Sequence, residues 1–269
     1  MDAEPENLNR RKGNSAHRDK DALPRILTCP GTAFFLDVDG TLLALASTPG
    51  GVVVSDRLRA ILAALQTCSA GATALISGRR LADLDALFAP LRLPTAGQHG
   101  AEWRDAAGRH HSDAKVDASL QALRPALASL EHDFPGTLLE DKGESFAVHY
   151  RSAPSQQFPL KSHLETLLAP HPELQLAAGK MVWEIRDPRA NKGTAIERMM
   201  QDAPFSTCRM VFAGDDVTDE DGFEYVNSRD GYTVKVGPGE SRARFRLPDH
   251  EHVLTWLEEC VHASRHKET

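Results

Sequence analysis

Three short apolar runs without alternation punctuate the chain: Ala33-Phe34-Phe35-Leu36, Thr73-Ala74-Leu75-Ile76 and Met210-Val211-Phe212-Ala213. Runs of this kind suit strands buried on both faces, as in a parallel sheet. Between them, apolar residues recur at helical spacing. Leu58, Ile61, Leu62 and Leu65 follow Ser55, a candidate N-cap, and Leu81, Leu84, Leu87 and Phe88 follow Gly78. Strand alternating with helix predicts an α/β fold with a parallel sheet. Each run ends at a polar group: Asp37, Ser77 and, just past Gly214, Asp215. Open α/β sheets bind ligands at the carboxyl ends of their strands. Three distant segments are therefore expected to bring their chemistry to one edge.

The middle of the chain has a different period. In Ser145–Arg151, Phe146, Val148 and Tyr150 alternate with His149 and Arg151; in Met181–Arg186, Met181, Trp183 and Ile185 alternate with Glu184 and Arg186. Glu140 and Lys142 share a face by the same period of two. One-sided strands predict a small antiparallel sheet with helices on its apolar face, and helical patterns lie at 118–130 and 160–168. The expected organisation is a smaller α+β unit at 109–187, inserted into a larger unit made of 25–108 and 188–269. Residues 1–24 are polar, with a basic cluster at Arg10, Arg11 and Lys12, and are expected to form a disordered tail.

Composition removes several function classes. The formal net charge of −7 argues against a nucleic-acid partner, which calls for a basic face. It also means that any phosphate site must supply its own local positive charge. No apolar stretch is long enough to cross a bilayer, and no apolar leader is visible, so no membrane partner is expected. Cys29, Cys68, Cys208 and Cys260 form no C-x-x-C pair. Neither a disulfide framework nor a zinc site is expected, and the setting reads as the reducing cytoplasm. A monomer acting on a small molecule is the simplest expectation.

The chemistry begins at Asp37-Val38-Asp39-Gly40-Thr41. A carboxylate nucleophile splits a hydrolysis into two easier displacements. With an ordinary pKa of about 3.9, Asp37 is ionised at neutral pH. Asp39 would protonate the leaving oxygen and then activate water, which demands a raised pKa from a nearby carboxylate or from desolvation. Ser77-Gly78-Arg79 lies where a strand meets a helix, a place where a hydroxyl and backbone N–H groups can hold an anion. Lys192, in Asn191-Lys192-Gly193-Thr194, opens a helix, where a cation opposes the macrodipole unless an anion is present. It would neutralise a transferring phosphoryl group. Asp215, Asp216, Asp219, Glu220 and Asp221 crowd the segment after the third apolar run. Hard oxygen ligands at that density suit Mg²⁺; a solvated, capped helix start reads the same acids without a metal.

In order, Asp-Val-Asp-Gly-Thr, Ile-Ser-Gly-Arg, Lys192 and Gly-Asp-Asp-x-x-Asp resemble the haloacid dehalogenase superfamily of phosphatases. The resemblance implies a Rossmann-like core with an inserted cap. It makes Asp37 the nucleophile and Asp39 the acid/base. The Asp37 carboxylate, the Asp39 backbone carbonyl and Asp215 would hold Mg²⁺, supported by Asp216 and Asp219. Ser77 and Lys192 would grip phosphate, with Val38, Asp39, Gly78 and Arg79 completing that site.

Four further stretches resemble the trehalose-6-phosphate phosphatase family: Gly97–Glu102, Leu139–Gly143 with His149-Tyr150-Arg151, Gly179–Arg186, and Val236-Gly237 to Pro248. In that family the cap reads the sugar. The match implies sugar contacts at Glu140, Lys142 and Glu184, with His149, Arg151 and Lys180 beside them. The activity implied is Mg²⁺-dependent hydrolysis of trehalose 6-phosphate. Another sugar phosphate as substrate, or a non-catalytic sugar-phosphate sensor on this fold, are the rival readings. One departure from the family pattern is Asp187, which stands between the basic residue Arg186 and Pro188 where proline is expected at once.

Overall fold

The computed structural model describes residues 29–44, 53–179 and 181–265. The expected tail at 1–24 and the expected sugar contact Lys180 lie outside those residues. In chain order the first strands and helices are β1 (Thr32–Leu36), α1 (Asp56–Cys68), β2 (Thr73–Ile76), α2 (Leu81–Phe88), β3 (Thr95–Gly97), β4 (Glu102–Arg104) and β5 (His110–Ser112). Then come α3 (Ala114–Ala128), α4 (Leu130–Asp133), β6 (Leu138–Asp141), β7 (Phe146–His149), α5 (Gln157–Leu168), β8 (Gln175–Gly179) and β9 (Val182–Arg186). The chain closes with α6 (Lys192–Met199), β10 (Arg209–Gly214), α7 (Glu220–Ser228), β11 (Tyr232–Val236), β12 (Phe245–Leu247) and α8 (His250–Arg265).

The large sheet runs β12-β11-β10-β1-β2-β3-β4-β5. It is parallel from β12 to β3 and antiparallel from there outward. The apolar runs are continuous because both faces are covered. On one face Phe34, Leu36 and Val211 pack with Leu58, Leu62 and Leu65 of α1 and Val253 and Leu257 of α8. On the other, Phe35 and Phe212 meet Ile196 and Met199 of α6 and Phe223 and Val226 of α7. Ser55 caps α1 as its position predicts, its Oγ accepting from Leu58 N at 3.1 Å. The fold is α/β with a mostly parallel central sheet.

The second sheet, β6-β7-β9-β8, is antiparallel throughout. Its apolar face carries Phe146, Val148, Tyr150, Trp183 and Ile185, buried against Leu120, Leu123 and Leu127 of α3 and Leu160 and Leu164 of α5. The period-two pattern thus sorted the faces correctly. At the start of this stretch the structure differs from the sequence reading. β5, expected inside the inserted unit, pairs with β4 as the edge of the large sheet, His111 opposite Trp103. His110-His111-Ser112 has no apolar alternation to give its partner away, and the Trp103–His111 ring stack, with centroids 5.1 Å apart, holds it there.

A second correction concerns the cysteines. Cys29 and Cys68 are joined as a disulfide, Cα atoms 5.3 Å apart, where no disulfide was expected. The β1–α1–β2 crossover returns the end of α1 to the start of β1, a proximity that a separation of 39 residues does not reveal. Beside it, Pro30, Thr67, Cys68, Val261 and Ser264 line a cavity of about 720 Å³, at the sheet edge away from the acidic strand ends. Among the described residues no helix is long and apolar enough to cross a membrane.

Candidate active site

Asp37 is the first residue past β1, and its N–H donates to Ala213 O of β10 at 3.0 Å. The neighbouring strand therefore fixes the backbone from which the carboxylate projects. Gly40, at φ 83°, lets the loop after Asp39 turn back; a methyl there would run into the Asp215 carboxylate. Only glycine suits both demands. Asp215 follows β10, and Lys192 is the first residue of α6, whose N-cap Asn191 accepts from Thr194 N at 2.9 Å.

These elements converge. Lys192 Nζ donates to Asp37 Oδ1 at 2.7 Å and to Asp219 Oδ1 at 2.6 Å. The three side chains are almost wholly inaccessible, at 3%, 5% and 0% exposure. Within the protein, a pair of carboxylates already supplies the anion that a lysine at a helix start requires. Burial pushes the Asp37 carboxyl up to about 6, against the pull of Lys192. Asp37 is therefore less readily ionised than its ordinary value suggests. Asp219 is pushed up to about 6 by burial and by the charge of Asp37, and Asp215 rises through burial and its neighbour Asp219. Burial works against the Lys192 ammonium, but Asp37 and Asp219 outweigh it and hold it above the usual lysine range.

Ligand atoms of Asp37, Asp215 and Asp219 lie within 4.8 Å of one another, and Asp37 Oδ2 is buried with no hydrogen-bond partner. An orphaned carboxylate oxygen inside an oxygen-rich cluster suits a divalent cation. Asp216 lies elsewhere: it is exposed, and it caps the turn that holds Asp219, its N–H donating to Asp219 Oδ2 at 2.8 Å.

Ser77 is 1% exposed at the end of β2; its Oγ accepts from Arg79 N at 3.2 Å. Val38 is fully buried, and its carbonyl accepts from Leu42 and Leu43. Asp39 meets neither a second carboxylate nor deep burial, as its acid/base role led us to expect. Its two oxygens accept from Arg79 Nε and Nη2, each at 2.6 Å, and its side chain is 36% exposed. Forty residues separate the partners, and only the packing of the β1 and β2 ends brings them together.

Above this edge lies the polar face of the second sheet. Lys142 Nζ donates to Glu184 Oε1 at 3.2 Å, and His149 Nε2 pairs with Glu140 Oε2 at 2.9 Å. Gly78, His99, Lys142, Glu184 and Arg186 enclose a cavity of about 50 Å³ between the two sheets. Arg151 is exposed and does not line it. The sequence reading gave no role to His99 or Arg186. The His99 ring lies so close over Gly78 that a methyl on Gly78 would sit 2.8 Å from it. Burial, then the charges of Lys192 and Arg186, lower His99 to about 4, so its ring is neutral, with Nδ1 unpartnered. His99 carried no periodic signal, and alternation put Arg186 on the polar face of its strand without giving it a role; only the fold placed both between the sheets.

A mostly parallel sheet with an Asp at the end of a central strand, a buried lysine bonded to it and an acidic cluster beside it is the arrangement of a haloacid dehalogenase-type phosphatase. The trehalose-phosphatase family model matches residues 35–251, and the chain belongs to that family. It is 43% identical over 235 residues to trehalose-6-phosphate phosphatase of Escherichia coli, covering 87% of this chain and 88% of that one. The crystal structure of a trehalose-6-phosphate phosphatase related protein matches with a TM-score of 0.68 at 27% identity, covering 87% of this chain and 99% of the other. The C-terminal domain of the C. albicans trehalose-6-phosphate phosphatase matches with a TM-score of 0.66 at 25% identity, covering 86% and 92%.

Proposed function

We propose that this enzyme hydrolyses trehalose 6-phosphate to trehalose and phosphate. The observation that carries the reading is that two groups of residues flank the same sheet edge, a narrow cavity running between the sheets from Lys142 and Glu184 to Gly78 of the Ser77–Arg79 loop. Asp37, Lys192, Asp215 and Asp219 stand at the sheet edge, and Lys142 and Glu184 lie on the polar face above it. The first group suits a phosphoryl centre. The second suits sugar hydroxyls, since carboxylates accept from them and ammonium groups donate to them.

Asp37 attacks phosphorus, its bond to the ester oxygen breaks, and an aspartyl-phosphate forms; water then attacks the phosphorus and frees Asp37. Lys192 holds one oxygen of Asp37 and offsets charge on the phosphoryl group. Ser77 Oγ and the backbone of the Ser77–Arg79 loop hold the phosphate oxygens. Asp39, released from Arg79 and carrying a proton taken up from solvent, gives that proton to the leaving sugar oxygen and takes one back from the water that attacks the aspartyl-phosphate, while Arg79 turns to the phosphate. Asp37, Asp215 and the Asp39 carbonyl would hold Mg²⁺, with Asp219 beside them. When bound, the ion supplies positive charge against the repulsion between carboxylate and phosphate.

The unit between Asp113 and Asp187 acts as the cap. Glu140, Lys142 and Glu184 read the sugar, with His149, Arg151 and Lys180 as further candidate contacts. A cavity of about 50 Å³ is far below the ~300 Å³ at which ligand pockets begin. The disaccharide therefore enters only when the cap lifts, and closure then excludes water. A phosphate-release panel across sugar phosphates, with and without Mg²⁺, tests the reading. Metal-dependent preference for trehalose 6-phosphate is expected, with Asp37→Asn losing activity to background. Preference for a glucose or sucrose phosphate would refute the substrate, and an active Asp37→Asn would refute the mechanism.

A further inference from the structure

Between β3 and β4 the backbone passes through three successive left-handed residues: Gln98 at φ 46°, His99 at φ 59° and Gly100 at φ 101°. Only the last is glycine, and side chains with a Cβ avoid this region. A strained run persists where its surroundings over-determine it. Here they do. Gln98 N donates to Arg79 O and His99 N to Ser77 O, both at 2.9 Å, so the run lies hydrogen-bonded along the phosphate loop. Arg198 of α6, the helix that begins with Lys192, donates to Gly100 O at 2.7 Å.

The strain puts the Gln98 side chain, 7% exposed, between two elements that must act together. Its Nε2 donates to Glu102 Oε1 at 3.1 Å. The same oxygen accepts from Leu81 N at 2.8 Å, the first residue of α2, whose own N-cap Arg80 offers no side-chain acceptor. Glu102 thereby caps α2 across space and fixes where the phosphate loop ends. At its other end Gln98 Oε1 accepts from Ser145 Oγ at 3.3 Å, in the turn of the second sheet that also carries Lys142. A carboxylate can only accept, so the amide nitrogen must face Glu102, and the amide oxygen is left for the serine hydroxyl.

We propose that Gln98 is a positioning residue that registers the sugar-reading face of the cap against the phosphate loop. It does not touch the reacting atoms. It links the turn beside Lys142, through Glu102, to the loop that holds Ser77 and Arg79, so that the sugar and phosphate ends of one substrate are read at a set separation. This rests on the function proposed above.

The test compares kcat/KM for trehalose 6-phosphate with kcat/KM for p-nitrophenyl phosphate, an ester with no sugar to read. It uses wild type, Gln98→Ala, Ser145→Ala and the double variant, all with Mg²⁺, and the melting temperature of each. The ratio of the two constants falls by about fivefold in each single variant, the size of one lost hydrogen bond, with the change in KM for the sugar ester. The double variant falls no further than Gln98→Ala alone, because both remove one link. A ratio within about twofold of wild type in either single variant overturns the proposal, as do losses that multiply in the double variant. Ser145→Ala removes only a half-buried hydroxyl, so it decides the matter if Gln98→Ala does not fold. Wild type inactive on trehalose 6-phosphate refutes the substrate reading; wild type active on it with an unmoved ratio refutes only the role of Gln98.

Discussion

Lys192 is the residue on which the charge balance of the site turns. Its ammonium is enclosed with the Asp37 and Asp219 carboxylates, and a buried charge that loses its partner is far more costly than an exposed one. In Lys192→Met two carboxylates would remain close together with no counter-charge. The metal-free variant is expected to lose on the order of 3–5 kcal/mol of stability, measured by urea unfolding in a chelator, and part of that loss returns when Mg²⁺ is added. Equal unfolding midpoints for variant and wild type in chelator would show that the lysine does not balance these acids. The importance of Lys192 was legible in the sequence, because a cation at a helix start needs an anion. Which anions it meets was not, since Asp37 lies 155 residues away and only the strand order brings it there. Asp39 shows the same limit. Its place after an apolar run marked it for chemistry, while its pairing with Arg79 depends on two loop ends meeting in space.

Between elements, the contact of α3 with the β6–β7 turn depends on a proton. The Glu144 carboxyl is pushed up to about 8, first by burial and then by a hydrogen bond with Asp117 and its charge. Asp117 Oδ1 is buried without a donor, and its other oxygen accepts from Ser112 Oγ at 2.5 Å. A protonated Glu144 is the donor this pair lacks. Folded, the group keeps its proton up to about pH 8; unfolded, it releases it near the ordinary carboxyl value of 4.5. Between those values the folded state binds more protons, so stability falls as pH rises through the window. Glu144→Gln carries a permanent N–H donor and escapes that loss. Its melting temperature should exceed that of wild type by about 2–4 °C at pH 8.5 and match it at pH 4.5. A difference of the same size at both pH values would show that packing, and not the proton, distinguishes them. Alternation along β7 and β9 foretold which face of this sheet is apolar. Nothing in it marked Glu144, because a turn residue belongs to neither face and its partners come from α3 and β4.

For the molecule as a whole, the chain crosses between the sheets at two points, and any movement of the proposed cap must pivot about them. The chain leaves the large sheet at Asp113 and returns at Asp187, and Arg189 ties both. Its Nη2 donates to Asp113 Oδ2 at 2.6 Å and to Asp187 Oδ2 at 2.9 Å, and its Nε donates to Asp187 Oδ1 at 2.9 Å. The hydrogen bond from Arg189 holds Asp113 below the ordinary carboxylate range, and both acids raise the guanidinium above its own. Asp187, the one departure from the family pattern in this stretch, therefore has a structural use: it is 3% exposed and anchors the arginine that joins the two crossings. In Arg189→Ala the buried Asp187 keeps a single donor, its contact with Arg189 N, and the crossings are no longer tied. Arg189 itself is half exposed, so the loss in global stability is modest, about 1–2 kcal/mol. The larger effect is local, because connections held by few buried contacts open well below the global unfolding free energy. Limited proteolysis should cut near residues 113 and 187 at least several times faster in Arg189→Ala than in wild type, while the melting temperature drops by only a few degrees. Cleavage at the wild-type rate would mean that the crossings are held by the sheets themselves and that Arg189 does not restrain the cap.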